Sequence, residues 1–120
     1  MASFYVKGGV ELKGEIVPQG AKNEALQIIS AVLLTEHKVT INNIPDIVDA
    51  NLQIELMEEI GVKVERITRH TCTFQADNID PDYLGSEAFR KKSARLRGSV
   101  MIAGPMLARF GKAYTQARGR

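Results

Sequence analysis

From Ala25 to Leu34 every residue except Gln27 and Ser30 is apolar, and those two continue from Asn23 at spacings of four and three. Such a segment predicts a helix opening after Gly20, apolar nearly all round and therefore buried, with one narrow polar stripe. Val48, Leu52, Leu56 and Ile60 recur at spacing four, and Ile47, Ile54 and Met57 widen that face while Glu55, Glu58 and Glu59 look outward. This predicts a second helix, stopped at Gly61. Alternation marks the strands. Val39 and Ile41 predict one, broken at Ile44-Pro45-Asp46; Val62, Val64 and Thr71 to Ala76 predict an antiparallel pair with Cys72, Phe74 and Ala76 on one face. Two further alternating runs, around Phe4 and Val6 and around Leu12, Ile16 and Val17, flank Gly8-Gly9 and read as a small hairpin over residues 3 to 17.

The remainder is less regular. Asp77 to Gly85 is an acidic loop, and Ser86 can cap the helical segment that follows. That segment carries five cations between Arg90 and Arg97, then turns apolar and rich in small residues from Gly98 to Ala108, with Pro105 able to kink or displace it. A strand candidate lies near Ala113 to Gln116. Shifting the chain by 74 residues lays the first helix and strand over this last pair, with Ser30 over Gly104, Leu33 over Leu107, Lys38 over Lys112 and Asn23 over Arg97. The register suggests successive β-α-β-α-β-β units whose helix starts could face one anion-binding cleft, an α/β (α+β) fold with one complete unit and the start of a second.

Charge sharpens this picture. Residues 1 to 60 hold four Lys against nine Asp or Glu, a net of −5, while residues 61 to 120 hold twelve basic and five acidic residues, a net of +7. No acidic residue follows Glu87, so the C-terminal third calls for an anionic partner. At 120 residues and 44% hydrophobic the chain has the size of one ordinary domain. Cys72 is the single cysteine, which rules out an intrachain disulfide and is expected in the core. No apolar run approaches the ~18 to 20 residues needed to span a bilayer, so a cytoplasmic protein without a membrane partner is expected.

Lys22 and Asn23, in the first turn of the opening helix, are the leading site candidates. A cation there is disfavoured by the positive end of the helix, so either a bound phosphate or carboxylate compensates, or the lysine is solvated near a loop. Asp46 and Asp49 flank the start of the second helix, where capping suits a carboxylate. His37 and His70 fall in expected turns, as surface residues. The Arg90 to Arg97 segment lacks interleaved acids, leaving a solvated face, an anion site or nucleic-acid binding open. With Phe89 as its one aromatic, it offers little for base stacking. No phosphate loop, dinucleotide glycine fingerprint or zinc spacing is present.

Several stretches in order resemble the enolpyruvyl transferases. These are Gly8-Gly9 with Leu12-Lys13-Gly14-Glu15-Ile16, Gly20-Ala21-Lys22-Asn23-Glu24-Ala25-Leu26, Val39 to Asp46, and Ile60-Gly61-Val62-Lys63-Val64-Glu65. Leu96-Arg97-Gly98-Ser99-Val100, leading to Gly104-Pro105-Met106-Leu107-Ala108-Arg109-Phe110-Gly111, completes the set. The resemblance implies transfer of the enolpyruvyl group of phosphoenolpyruvate to the 3-hydroxyl of UDP-N-acetylglucosamine, with release of phosphate, in peptidoglycan synthesis. It implies that Lys22 contacts phosphoenolpyruvate, that Asn23 lies beside it at the substrate site, and that Arg97 contacts the UDP-sugar. Cations that hold carboxylate and phosphate suit this chemistry, and neither a metal nor an organic cofactor is implied.

Family members are several times longer, with two similar domains and a cleft between them. By that resemblance residues 1 to 20 belong to the other domain and residues 21 to 120 form part of one domain. The family's mobile loop has Pro-Gly-Gly and then a Cys or Asp proton donor; here the corresponding region reads Arg118-Gly119-Arg120. The resemblance therefore implies an amino-terminal portion with no catalytic proton donor of its own, inactive alone. The rival expectation is a small anion- or nucleic-acid-binding module using the basic 90 to 97 segment.

Overall fold

The structure, a computed structural model, describes residues 2 to 115. The elements are α1 (Lys22–Ala31), continued by a 3-10 turn (Val32–Leu34), β1 (Val39–Ile41), α2 (Val48–Glu59), β2 (Lys63–Thr68), β3 (Thr71–Gln75), a 3-10 turn (Pro81–Gly85), α3 (Glu87–Ser93), a 3-10 segment (Arg97–Ile102) and α4 (Ala103–Phe110). The α/β reading holds.

Strand β3 lies between β1 and β2 and is antiparallel to both. Its register puts Phe74 opposite Val39 and Val64, and Cys72 opposite Ile41 and Arg66. Cys72, Phe74 and Ala76 are buried on one face, as their alternation requires. Helices cover that face. The outer edge β2 is exposed over most of its length and carries an irregularity between Arg66 and Thr68 that breaks the even ladder.

The core is shared by α1, α2, β3 and the C-terminal helical segments: Ile29, Leu33, Ile54, Met57, Phe74, Ile102 and Met106 are all fully enclosed. Within it Gln53 of α2 donates through Nε2 to Ser30 Oγ at 2.6 Å, and Ser30 Oγ donates to the Leu26 carbonyl at 2.8 Å. The two-bond relay lets α1 and α2 meet across a polar point without stranding the hydroxyl. Gln53 Oε1 is the buried side-chain oxygen among the described residues that lacks a partner. Ser30 is thus the part of the expected stripe that turns inward; Asn23 and Gln27 are exposed, and Ile28 is 41% exposed, so α1 buries one side rather than its whole circumference.

Two glycines permit close passages. A Cβ at Gly20 would fall on the Asn43 carbonyl oxygen, so the chain enters α1 against the end of β1 only with glycine there. A Cβ at Gly98 would sit 2.6 Å from Leu26 Cδ1, so the 97–102 segment packs its backbone directly on α1. With the shift of 74, Asn23 falls on Arg97, and the two helical segments start within one residue of register, at Lys22 and Arg97. The second differs in form: it opens as a 3-10 segment and becomes α-helical at Ala103, which puts Pro105 in the first turn, where its missing N–H interrupts no helical bond.

Two expectations fail. The hairpin over residues 3 to 17 does not form: residues 2 to 20 hold no strand, and Phe4, Tyr5, Val6, Leu12, Ile16 and Val17 are each more than four-fifths exposed. Two short strands with no third strand or helix to cover them lack the buried area that would hold them together. The strand near Ala113 to Gln116 is absent over residues 113 to 115, and Gln116 and Arg118-Gly119-Arg120 lie outside the described residues.

Arg109 closes the fold. From α4 its Nη1 donates to the carbonyls of Ala76 at 2.7 Å, Leu33 at 3.0 Å and Thr35 at 3.1 Å, and its guanidinium lies 4.8 Å from the centre of the Phe110 ring. It joins the end of the first helical stretch, the end of β3 and α4 through a cation suited to unsatisfied carbonyls. Replacing Arg109 by Ala is expected to lower unfolding free energy by about 2 to 3 kcal/mol, read as a lower urea midpoint, since charge-assisted bonds to partly buried carbonyls are lost together.

Candidate functional site

Lys22 is the first residue of α1, and the capping position before it, Ala21, offers no side-chain acceptor to the first turn. The ammonium has instead an ion-pair partner: Lys22 Nζ lies 3.2 Å from Asp49 Oδ2, in the first turn of α2. Both side chains are partly exposed, at 51% and 39%. The pair resolves the electrostatic oddity of a lysine at a helix start with an internal carboxylate, a third possibility beside bound anion and bulk solvent.

The capping expectation for Asp46 and Asp49 is corrected. Ile47 occupies the capping position of α2 and makes no side-chain cap. Asp46 accepts from Asn51 Nδ2 at 3.0 Å and pairs with Arg69 Nε at 2.6 Å, which hold its carboxyl below the usual carboxylate range, the Asn51 bond foremost. Asp49 faces Lys22.

Arg97 opens the 3-10 segment that packs on α1 through Gly98, and is exposed. Gly98, its neighbour, packs on Leu26, which is one turn beyond Asn23, so the starts of the two helical segments lie at the same end of a packed pair. Arg97 also lines a cleft of about 390 Å³ together with Arg90, Ser93, Phe89, Ser99 and Tyr114. Lys22 and Asn23 do not line that cleft. A smaller hollow of about 140 Å³, floored by Gly20, Ala21, Glu24 and the Asn42-Asn43 turn, lies beside the start of α1. The structure therefore brings Asn23 and Arg97 to one end of the α1 packing but gives Lys22 and Arg97 different immediate surroundings.

The basic segment is less uniform than its sequence suggests. Ser86 caps α3, its Oγ accepting from Phe89 N at 3.2 Å as expected, and α3 ends at Ser93 rather than running on through Arg97. Lys91 reaches Glu87 at 3.9 Å, and Lys92 pairs with Glu59 of α2, which also accepts from Tyr83 Oη at 2.7 Å. These contacts neutralise part of the cationic face. Lys92 first, and Tyr83 second, hold the Glu59 carboxyl below its ordinary range. Burial raises the Cys72 thiol, in keeping with an unreactive core residue. His70 is half-buried, with Nδ1 2.8 Å from the Ile44 carbonyl, while His37 is exposed. Among the described residues no three His, Cys, Asp or Glu side chains cluster as metal ligands, and no helix is long and apolar enough to cross a membrane.

Sequence reading missed Asp49 as the partner of Lys22, and Ser93 and Ser99 beside Arg97. The spacing of Asp49 within α2 was visible; which neighbour it would face was not, because that depends on how α1 and α2 cross.

The model of the EPSP synthase (3-phosphoshikimate 1-carboxyvinyltransferase) family matches residues 6 to 118. The chain is 60% identical over 113 residues to UDP-N-acetylglucosamine 1-carboxyvinyltransferase of Porphyromonas gingivalis, covering 94% of this chain and 26% of that protein. It is 58% identical over 119 residues to the protein of that name from Bacteroides thetaiotaomicron, covering 99% of this chain and 27% of that protein. The chain thus spans about a quarter of the length of these relatives. Among solved structures it is similar to the enolpyruvyl transferase NikO from Streptomyces tendae, with a TM-score of 0.63 and 25% identity over 88% of this chain and 24% of that one.

Because Glu59 is ionised more readily in the folded protein than in the unfolded chain, its pairing stabilises the fold above the ordinary carboxylate range and the contribution is lost as pH falls through its lowered value. Glu59→Gln is expected to flatten the acid limb of a stability profile measured by thermal melts below about pH 4.5, where wild type loses this contribution.

Proposed function

From the premise that the chain belongs to the EPSP synthase family of carboxyvinyltransferases, we propose that it supplies one wall of a site that transfers the enolpyruvyl group of phosphoenolpyruvate to the 3-hydroxyl of UDP-N-acetylglucosamine. The observation that carries this reading is the identity of 58 to 60% spread over nearly the whole chain to two transferases of that name. The geometry agrees with it, since cationic and amide side chains stand at the starts of two helical segments packed side by side.

In the proposed reaction the 3-hydroxyl gives up its proton to a base as its oxygen bonds to C2 of phosphoenolpyruvate, and C3 gains a proton. Loss of phosphate and of a proton from C3 then restores the double bond. The demand on the protein is to hold two anions and to balance charge as it moves from carbon to phosphate. Lys22 holds phosphoenolpyruvate, Asn23 donates to it beside Lys22, and Arg97 holds the UDP-sugar. The reaction so written needs neither metal nor organic cofactor. By the same reading residues 1 to 20 extend into a second domain and residues 21 to 120 belong to the first; Lys22, Asn23 and Arg97 supply one wall of the site, and none of them is the proton donor. The setting is cytoplasmic, in supply of precursors for peptidoglycan.

The nucleic-acid alternative is weakened by the pairing of Lys91 and Lys92 with carboxylates, which leaves no continuous basic stripe. Isothermal titration separates the two. UDP-N-acetylglucosamine is expected to bind the chain, and Arg97→Ala to weaken it by about tenfold or more, the equivalent of one charge-assisted hydrogen bond. The 120-residue chain is expected to release no phosphate from the substrate pair. Salt-sensitive binding of single-stranded RNA with no response to the sugar nucleotide would overturn the proposal.

A further inference from the structure

The Lys22–Asp49 ion pair is a contact between two helix starts, and it has a consequence for any anion that Lys22 is to hold. Asp49 Oδ2 lies 3.2 Å from Lys22 Nζ, within direct hydrogen-bonding range, and half of the lysine side chain remains exposed. The ammonium is therefore open to an incoming ligand on one side and engaged by a carboxylate on the other. Asp49 is held in place by the fold: it sits in the first turn of α2, and α2 is locked to α1 through the buried Gln53–Ser30 bond one turn further along. A carboxylate carried on a separate helix in this way cannot drift off with solvent.

We infer that Asp49 is an internal counter-ion of Lys22 that competes with the anionic ligand for the same ammonium, lowering the affinity of the site for phosphate and carboxylate groups. This inference rests on the proposed role of Lys22 in holding phosphoenolpyruvate. Its chemical sense is a threshold: inorganic phosphate must displace the aspartate with the Lys22 contact alone, whereas a ligand with a phosphate and a carboxylate brings a second anionic group whose own contact offsets the same displacement. The pair is partly exposed, so the competing charge acts through a largely aqueous dielectric and its effect is modest.

The experiment titrates isotope-labelled chain with inorganic phosphate and with phosphoenolpyruvate, following backbone amide shifts of residues 21 to 25 up to tens of millimolar ligand. Asp49→Asn, which keeps the side-chain volume, is expected to tighten binding of both ligands by about fivefold at low salt, with the gain fading as salt rises. Asp49→Ala serves as the second variant and should change affinity in the same direction. Lys22→Ala is expected to abolish the response, and adding Asp49→Asn to Lys22→Ala should restore nothing. Unchanged or weaker anion binding in both Asp49 variants would overturn the inference, as would the absence of any response in wild type and variants alike. Tightening toward phosphate with no preference for phosphoenolpyruvate would support the counter-ion and count against the enolpyruvyl reading. Phosphoenolpyruvate bound at Lys22 with no effect of Asp49 would do the reverse.

Discussion

The three carbonyls gathered by Arg109 set the constraint on which the rest of the arrangement depends. Leu33 and Thr35 end the first helical stretch, Ala76 directly follows β3, and the guanidinium reaches all of them from α4. Helix ends and strand ends leave acceptors without partners, and a single planar cation satisfies three of them at the point where elements from opposite ends of the core converge. With α4 fixed there, the 97–102 segment that leads into it is held along α1, and Gly98 can lie against Leu26. The position of Arg97 is in this sense decided twelve residues further on.

A second fixed point is the crossing of α1 and α2. The Ser30–Gln53 bond lies in the core, while the Lys22–Asp49 pair lies at the surface near the start of both helices. The buried bond is the stronger determinant of the crossing, because the exposed pair is screened and contributes ~1 kcal/mol at most. The surface pair matters for chemistry instead. It decides what the ammonium of Lys22 meets before any ligand arrives.

What could be read from the sequence was what depends on neighbours along the chain. The faces of α2 and β3 follow from spacing alone, so Ile54, Met57, Cys72 and Phe74 are buried where their periodicity puts them, and Ser86 caps α3 because a cap needs only the three residues after it. Lys22 stood out for a similar reason, since its oddity lies in its place on the helix. Partners distant in sequence were not legible. Asp49 for Lys22, Glu59 for Lys92 and the carbonyls of Arg109 all depend on how packed elements cross. The failed hairpin shows the same limit from the other side: alternation near Phe4 and Leu12 reports a preference for extended chain, but a strand needs a partner and a surface to cover it.

That uncovered arm alters how this chain responds to heat and denaturant. Its radius of gyration is 17.4 Å, against about 13.6 Å expected for a compact domain of this length. Apolar surface already in contact with water in the folded state is not newly exposed when the chain unfolds. The heat-capacity increment and the denaturant slope therefore belong, among the described residues, to the packed stretch from Gly20 to Ala113, and the exposed arm adds little to either.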